Sequence, residues 1–301
     1  MTPKILVFGE IIWDIYPDQK LIGGAGLNFA AHGSRCGCES FMCSAVGNDS
    51  LGSDAIAAAE SFGVNSEFIK KIDFPTGQCL VTINSAGIPS YNVLRGVAYD
   101  NITANDKDIE KINKIGFDAL YFGSLIQRGL TSRASLRKIC EEFNFGEIVC
   151  DVNLREGCYD LDSIAFCFEN ATVIKISDEE EPTLRHLGEY SAEDDSPESV
   201  ARAISKKYTQ IKYVILTLGA KGAYVYCANR SEGFFKESKK VKVASTVGAG
   251  DSFFAAWVSS YLCGESAVTA TERAIALSGF VVSHTDAIPN YRFEGEIVKE
   301  I

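Results

Sequence analysis

The chain has 301 residues, 46% hydrophobic and 23% charged, with a formal net charge of −11. That length supports a large buried core in a soluble globular chain, and the acidic excess argues against a nucleic-acid partner, because neutralising phosphates takes clustered Lys and Arg. No apolar run reaches the roughly 18 to 20 residues that span a bilayer, and no basic stretch followed by an apolar block marks a secretory signal, so no membrane partner and a cytoplasmic location are expected. Ten scattered cysteines without a Cys-x-x-Cys pair read as reduced core residues, and three histidines without ligand spacing argue against zinc or a histidine triad.

The run Ile5 to Phe8, ending at Gly9, reads as a buried parallel strand. Asp14 follows, as a turn aspartate near Pro17 or as a ligand-binding acid. Gly23-Gly24-Ala25-Gly26-Leu27-Asn28 then opens an apolar segment, with Gly24 able to bring backbone close to a ligand and Asn28 read by itself as a helix cap. Gly24-x-Gly26 offers only a weak dinucleotide-binding match, because Phe29 stands at the third glycine position. Phe41 to Val46 reads as a strand and Leu51 to Phe62 as a helix. Gln78 to Ile83 and Ile88 to Leu94, flanking Asn84-Ser85-Ala86-Gly87, read as a hairpin. Segments of about 11–24 and 76–103, with residues 97–102 included, are expected to form a small sheet off the main body.

From Ala119 strands and helices alternate: strand Ala119 to Phe122, helix Thr131 to Phe143, strand Ile148 to Cys150, helix Leu161 to Asn170, strand Thr172 to Ile176, helix Pro197 to Tyr208, strand Tyr213 to Leu218. The pattern predicts one α/β unit over residues 1–301, a doubly wound and mostly parallel sheet with helices on both faces, with ligands off the carboxyl ends of its strands. Asp151-x-Asn153-x-Arg155 and Thr217-x-Gly219-x-x-Gly222 stand at two such ends. In Val243 to Phe254, Gly248-Ala249-Gly250-Asp251 precedes a helical apolar run that includes Phe253, Phe254 and Trp257. A helix beginning there presents unpaired N–H groups and about half a positive charge to an anion, with Asp251 facing it as a candidate base; a Gly-rich turn with an N-terminal aspartate is the alternative. With no Gly-x-x-x-x-Gly-Lys-Ser/Thr in the chain, a P-loop kinase is excluded.

Gly248-Ala249-Gly250-Asp251, together with Gly23-Gly24 about 220 residues earlier, resembles the paired signatures of the ribokinase-type (PfkB) carbohydrate and nucleoside kinases, and the likeness covers nearly the whole chain. The resemblance implies a ribokinase-like fold with a β-sheet lid, and transfer of the γ-phosphate of ATP, with Mg²⁺, to a hydroxymethyl group of a small carbohydrate. It implies Asp251 as general base and the amides of Gly248, Ala249 and Gly250 as the anion hole. Asp14, Gly24, Asn28 and Arg155 would hold the sugar, Thr217, Gly219 and Gly222 would line the nucleotide side, and Glu180 would order Mg²⁺ through water, although Ser177 replaces the usual Asn of that motif. Ser245 replaces an Asp that helps bind a monovalent cation, so weak or absent potassium dependence is expected.

Gly9-Glu10, the Asp151 to Arg155 loop and Arg95-Gly96-Val97-Ala98 look most like fructokinases, with ribose, 2-keto-3-deoxygluconate and nucleosides as alternatives. A noncatalytic sugar-binding regulator is the rival from another class, a nicotinamide oxidoreductase a distant third. A homodimer through the lid is expected because a thin sheet leaves an exposed face.

Overall fold

The computed structural model describes residues 1–83, 89–294 and 297–300. Strand β1 (Lys4–Phe8) leads to the paired strands β2 (Ile12–Ile15) and β3 (Lys20–Gly23), and then to helix α1 (Ala25–Arg35). After β4 (Glu39–Gly47), α2 (Ser50–Ser61) and β5 (Asn65–Ile72), the chain leaves the body again as β6 (Gly77–Ile83) and β7 (Pro89–Val93). It returns through α3 (Asp106–Ile115), β8 (Ala119–Gly123), α4 (Leu130–Glu142), β9 (Glu147–Asp151), α5 (Leu161–Asn170), β10 (Val173–Ser177), α6 (Glu181–His186), α7 (Pro197–Lys207) and β11 (Tyr213–Thr217). Strands β12 (Gly222–Cys227) and β13 (Glu232–Glu237), helices α8 (Ala249–Leu262) and α9 (Ala267–Val281), and the ribbon β14 (Tyr291–Glu294) and β15 (Ile297–Glu300) complete it.

Among the described residues the main sheet has nine strands in the order β13-β12-β11-β10-β9-β8-β1-β4-β5. Every pairing from β11 to β5 is parallel, while β12 and β13 extend the edge antiparallel. The chain runs outward from β1 through β4 and β5, then restarts on the other side at β8. That reversal opens a crevice off the carboxyl ends of β1 and β8, where open α/β sheets bind ligands.

Alternation along β1 explains its burial on both sides: Leu6 and Phe8 enter one core, Ile5 and Val7 the other, and all four are inaccessible. Helix α8 is buried almost all round from Ser252 to Ser260, packed against both α1 and α9. Its unbroken apolar run therefore belongs to a central helix rather than to a surface one.

The second sheet has the order β3-β2-β6-β7, with β2 and β6 parallel and the outer pairings antiparallel. Strands β2 and β3 lie within residues 11–24 and β6 and β7 within residues 76–103, and the predicted turn Asn84 to Gly87 lies outside the described residues. The expectation fails for 97–102. Ala98–Asn101 is a 3₁₀ turn, and Val97, Ala98, Tyr99 and Ile102 are buried in the main core. Four apolar side chains so close together are better covered inside the body than on a thin sheet.

Candidate active site

Two helix N-termini meet in the crevice, and neither is capped by a side chain of its N-cap residue. Helices α2, α3, α5, α7 and α9 each cap their first turn with their own Asp, Asn or Ser side chain. Helices α1 and α8 instead begin after Gly24 and Gly248, which carry no capping side chain.

At α1 the orphan amides are taken by Glu10, which follows β1. Its Oε1 accepts from Ala25 N at 2.8 Å and Gly26 N at 3.4 Å, and its main-chain oxygen accepts from Leu27 N at 3.3 Å. A buried carboxylate on a helix N-terminus is favoured by the dipole, although burial still pushes the Glu10 pKa up. The fit is close. A Cβ on Gly9 or on Gly26 would come within 2.7 Å of the other glycine's Cα.

At α8 no side chain intervenes. Gly248 has φ +78°, a left-handed conformation that glycine adopts without the steric cost a Cβ brings. Ala249 N reaches back to Thr246 O at 3.3 Å, and the first helical bond is Ser252 N to Gly248 O at 2.9 Å. Among the described residues the amides of Gly250 and Asp251 have no protein acceptor, which leaves an open anion site of the kind helix N-termini offer. Ser245 Oγ accepts from Val247 N at 3.2 Å and so shapes the approach to this turn.

Asp251 lies half-buried on the first turn of α8, and its Oδ2 accepts from Asn28 Nδ2 at 2.7 Å. Asn28 is thus not a helix cap: it lies one turn inside α1, with Gly24 as the cap. Its Oδ1 is buried without a hydrogen-bond partner. A Cβ placed on Gly23 would stand 3.7 Å from that oxygen and 3.8 Å from Asp14 Oδ2, so Asp14 and Asn28 converge on one glycine and Asp251 is one hydrogen bond away. Burial pushes the Asp14 carboxyl up to about 6, with Arg155 pulling the other way. Burial likewise raises Asp251, while the Asn28 bond, Lys175 and Arg155 lower it. Arg155 is exposed on the loop after β9 and feels Glu10, Asp14 and Asp251.

A buried lysine completes the floor. Lys175, inward on β10, pairs with Asp151 at the end of β9 through a 2.7 Å Nζ–Oδ1 contact. Its Nζ lies 3.3 Å from where a Cβ on Gly250 would be, directly under the open turn. Asp151 Oδ2 is buried without a partner; burial raises this carboxyl and Lys175 lowers it. Glu180 is already engaged, accepting from Leu154 N, from Ser177 N at 2.7 Å and from Ser177 Oγ at 2.8 Å.

Thr217 ends β11, beside β10 in register with Ser177. Gly219 has open space where a Cβ would be, whereas on Gly222 a Cβ would fall 2.0 Å from Lys236 O. Packing against β13 therefore accounts for Gly222 without a ligand.

Lys175, Glu10 and the Asp151 carboxyl as a buried pair were not singled out from sequence. A lone Lys inside the apolar strand Val173 to Ile176 was the one signal for the pair, since a lysine is almost never fully buried unless paired, whereas Glu10 stood out only as part of Gly9-Glu10.

An acid at an uncapped helix N-terminus, next to polar groups converging in the crevice of a parallel sheet beneath a small second sheet, defines a phosphotransferase of the ribokinase-like α/β class. Similarity to known proteins agrees: the profile described as pfkB family carbohydrate kinase matches residues 3–292, and the chain belongs to that family. It is 26% identical over 311 residues to an ATP-dependent 6-phosphofructokinase of Thermoanaerobacterium thermosaccharolyticum, covering 94% of this chain and 89% of the relative. It is 27% identical over 285 residues to a probable fructokinase-5 of Arabidopsis thaliana, covering 86% and 83%. A fructokinase from Vibrio cholerae O395, solved with fructose, ADP and calcium ion, shares the fold with a TM-score of 0.79 at 23% identity, covering 95% of each chain. The chain is a carbohydrate kinase of an ATP-binding family. Among the described residues no helix is long and apolar enough to cross a membrane.

Proposed function

We propose that this kinase transfers the γ-phosphate of ATP to a hydroxymethyl group of a small sugar, with fructose as first candidate and ribose, 2-keto-3-deoxygluconate and nucleosides as alternatives. One observation carries the reading: Asp251, at the open end of α8, is joined through Asn28 to the same crevice as Asp14.

In this reading the sugar hydroxyls donate to Asp14 and to the unpartnered Asn28 Oδ1, and Gly24 and Arg155 border them. Asp251 takes the proton of the attacking hydroxyl as its oxygen bonds to phosphorus and the bond to the ADP oxygen breaks. The amides of Gly248, Ala249 and Gly250, with Lys175 beneath, stabilise charge on the transferring group. The Ala249 amide contributes least, since it is turned toward Thr246. Thr217 and Gly219 border the nucleotide.

Mg²⁺ is usually held by one or two carboxylates plus substrate phosphates. Glu180, engaged with Leu154 N and Ser177, would order such an ion through water. When bound, Mg²⁺ neutralises phosphate charge. We further propose that residues 1–301 act as one catalytic unit in the cytoplasm, that the second sheet is the lid, and that two copies pair through it, where Leu80 and Tyr91 are exposed.

A coupled assay of ADP release across fructose, ribose, 2-keto-3-deoxygluconate and adenosine tests the substrate. Fructose should give the highest kcat/KM, and exchanging potassium for sodium should change the rate less than about twofold, because Ser245 supplies no charge to a monovalent site. A sugar that binds without ADP release would favour the noncatalytic regulator.

Asp14 supplies a pH test. Its carboxyl, raised from the ordinary 3.8 to about 6, accepts sugar hydroxyls more strongly and at both oxygens when ionised, so KM for the sugar should climb as pH falls through 6. The free protein should show the opposite trend, because a folded carboxyl that holds its proton more tightly than the unfolded one adds stability as pH drops from 6 toward 4. A sugar KM flat between pH 7 and 5 would remove Asp14 from the site.

A further inference from the structure

The anion turn is gripped at both ends by one face of α1. Asn28 and His32 are four residues apart, so they project from the same side of the helix. Asn28 holds Asp251, downstream of Gly248. His32, wholly inaccessible, reaches the other end: its Nε2 is 2.9 Å from Ala287 O, and its Nδ1 is 2.7 Å from the Tyr291 hydroxyl. A carbonyl can only accept, so Nε2 carries the proton and Tyr291 donates to Nδ1.

Ala287 is the seat of the turn. A Cβ on Gly248 would fall 2.9 Å from both its Cβ and its carbonyl oxygen and 3.0 Å from its Cα. The same segment is tied to α1 a second time, where Arg35 donates to Pro289 O at 2.6 Å and lies over the Tyr291 ring, 5.0 Å from its centroid. The phosphoryl-binding amides thus rest on a peptide whose orientation is set by an imidazole outside the crevice.

We propose that His32 is a positioning residue for phosphoryl transfer, holding the Ala287 peptide so that Gly248 keeps the amides of α8 aimed at the transferring group. This rests on the reading of the α8 turn given above. A displacement of about 1 Å in such a site can cost on the order of 10²-fold in rate, and a loosened peptide should cost less than that.

The test compares His32→Gln, whose amide nitrogen reaches as far as Nε2, with His32→Asn, which is too short for Ala287, and His32→Leu, which donates nothing. Asp251→Asn is assayed beside them, and thermal unfolding confirms which variants are folded at the assay temperature. The expected result is kcat lowered about tenfold in the Leu and Asn variants, with sugar KM within about twofold and kcat largely restored in the Gln variant. A merely structural role would lower the unfolding temperature without separating Asn from Gln in kcat. Should the Leu variant fail to fold, the Asn and Gln pair decides. Equal kcat in those two, with Asp251→Asn still slow, overturns the role of His32 alone; native kcat in Asp251→Asn overturns the underlying reading.

Discussion

Replacing Asp251 with Asn should lower kcat by about 10²- to 10⁴-fold, the usual contribution of a positioned general base, and leave the sugar KM within about twofold. The substitution is close to isosteric, and a carboxamide oxygen can still accept from Asn28 Nδ2, which now holds the carboxylate at 2.7 Å. What disappears, in the proposed reading, is the capacity to accept the hydroxyl proton while phosphorus is attacked. Asp14 and Asn28 are untouched, so the sugar contacts proposed for them should remain. Steady-state kinetics at saturating ATP separate the two quantities, and a variant with native kcat would mean that the proton leaves by another route.

Lys175→Met should destabilise the fold by about 3 to 5 kcal/mol, the usual penalty for stripping one partner from a buried ion pair. Solvent screening offers little relief, because the Lys175 and Asp151 side chains are only 5% and 1% exposed. Asp151 already lacks a partner for Oδ2, and without Lys175 its charge would be uncompensated between β9 and β10. Adding Asp151→Asn removes that charge and should recover most of the loss, whereas the double variant should stay slow by about 10²-fold, since the cation under Gly250 is gone. Urea unfolding midpoints of the single and double variants, measured beside their kcat, check both halves. A single variant as stable as the native chain would show that the pair carries no such weight.

Much of the architecture could be read from periodicity. Helix α5 matches its predicted span from Leu161 to Asn170, and β8 to β11 were expected within a residue or two of where they form. Local chemistry was strong there: Asp160 and Ser196 cap α5 and α7, and apolar runs of strand length separate them. Strands β5 and β13 were not anticipated. They lie at the two edges of the sheet, where burial is partial and Lys70, Lys71 and Lys236 interrupt the apolar signal.

The α8 turn was legible because Gly248, Ala249 and Gly250 leave the backbone bare just before an acid, and the buried helix that follows fixes where those amides point. The partners of that turn were less so. Pairing Asn28 with Asp251 or His32 with Ala287 requires contacts across more than 220 residues, and nothing local distinguishes those side chains from a helix cap or a core histidine. Nor did spacing disclose that Glu10 fills the end of α1 and thereby leaves α8 as the uncapped helix end at this crevice.

The way the second sheet is attached limits how it can move. Its strands come from two separate excursions, so the backbone passes between body and flap at four places, two beside β2 and β3 and two beside β6 and β7. At the root these passages touch: a Cβ on Gly77 would lie 2.6 Å from Ile11 O and 2.7 Å from the Tyr99 ring. A piece held by one linker can swivel about a point, whereas one sewn along a seam is confined to folding about that line, which in the proposed reading would bring sugar in along the free rim opposite the stitching.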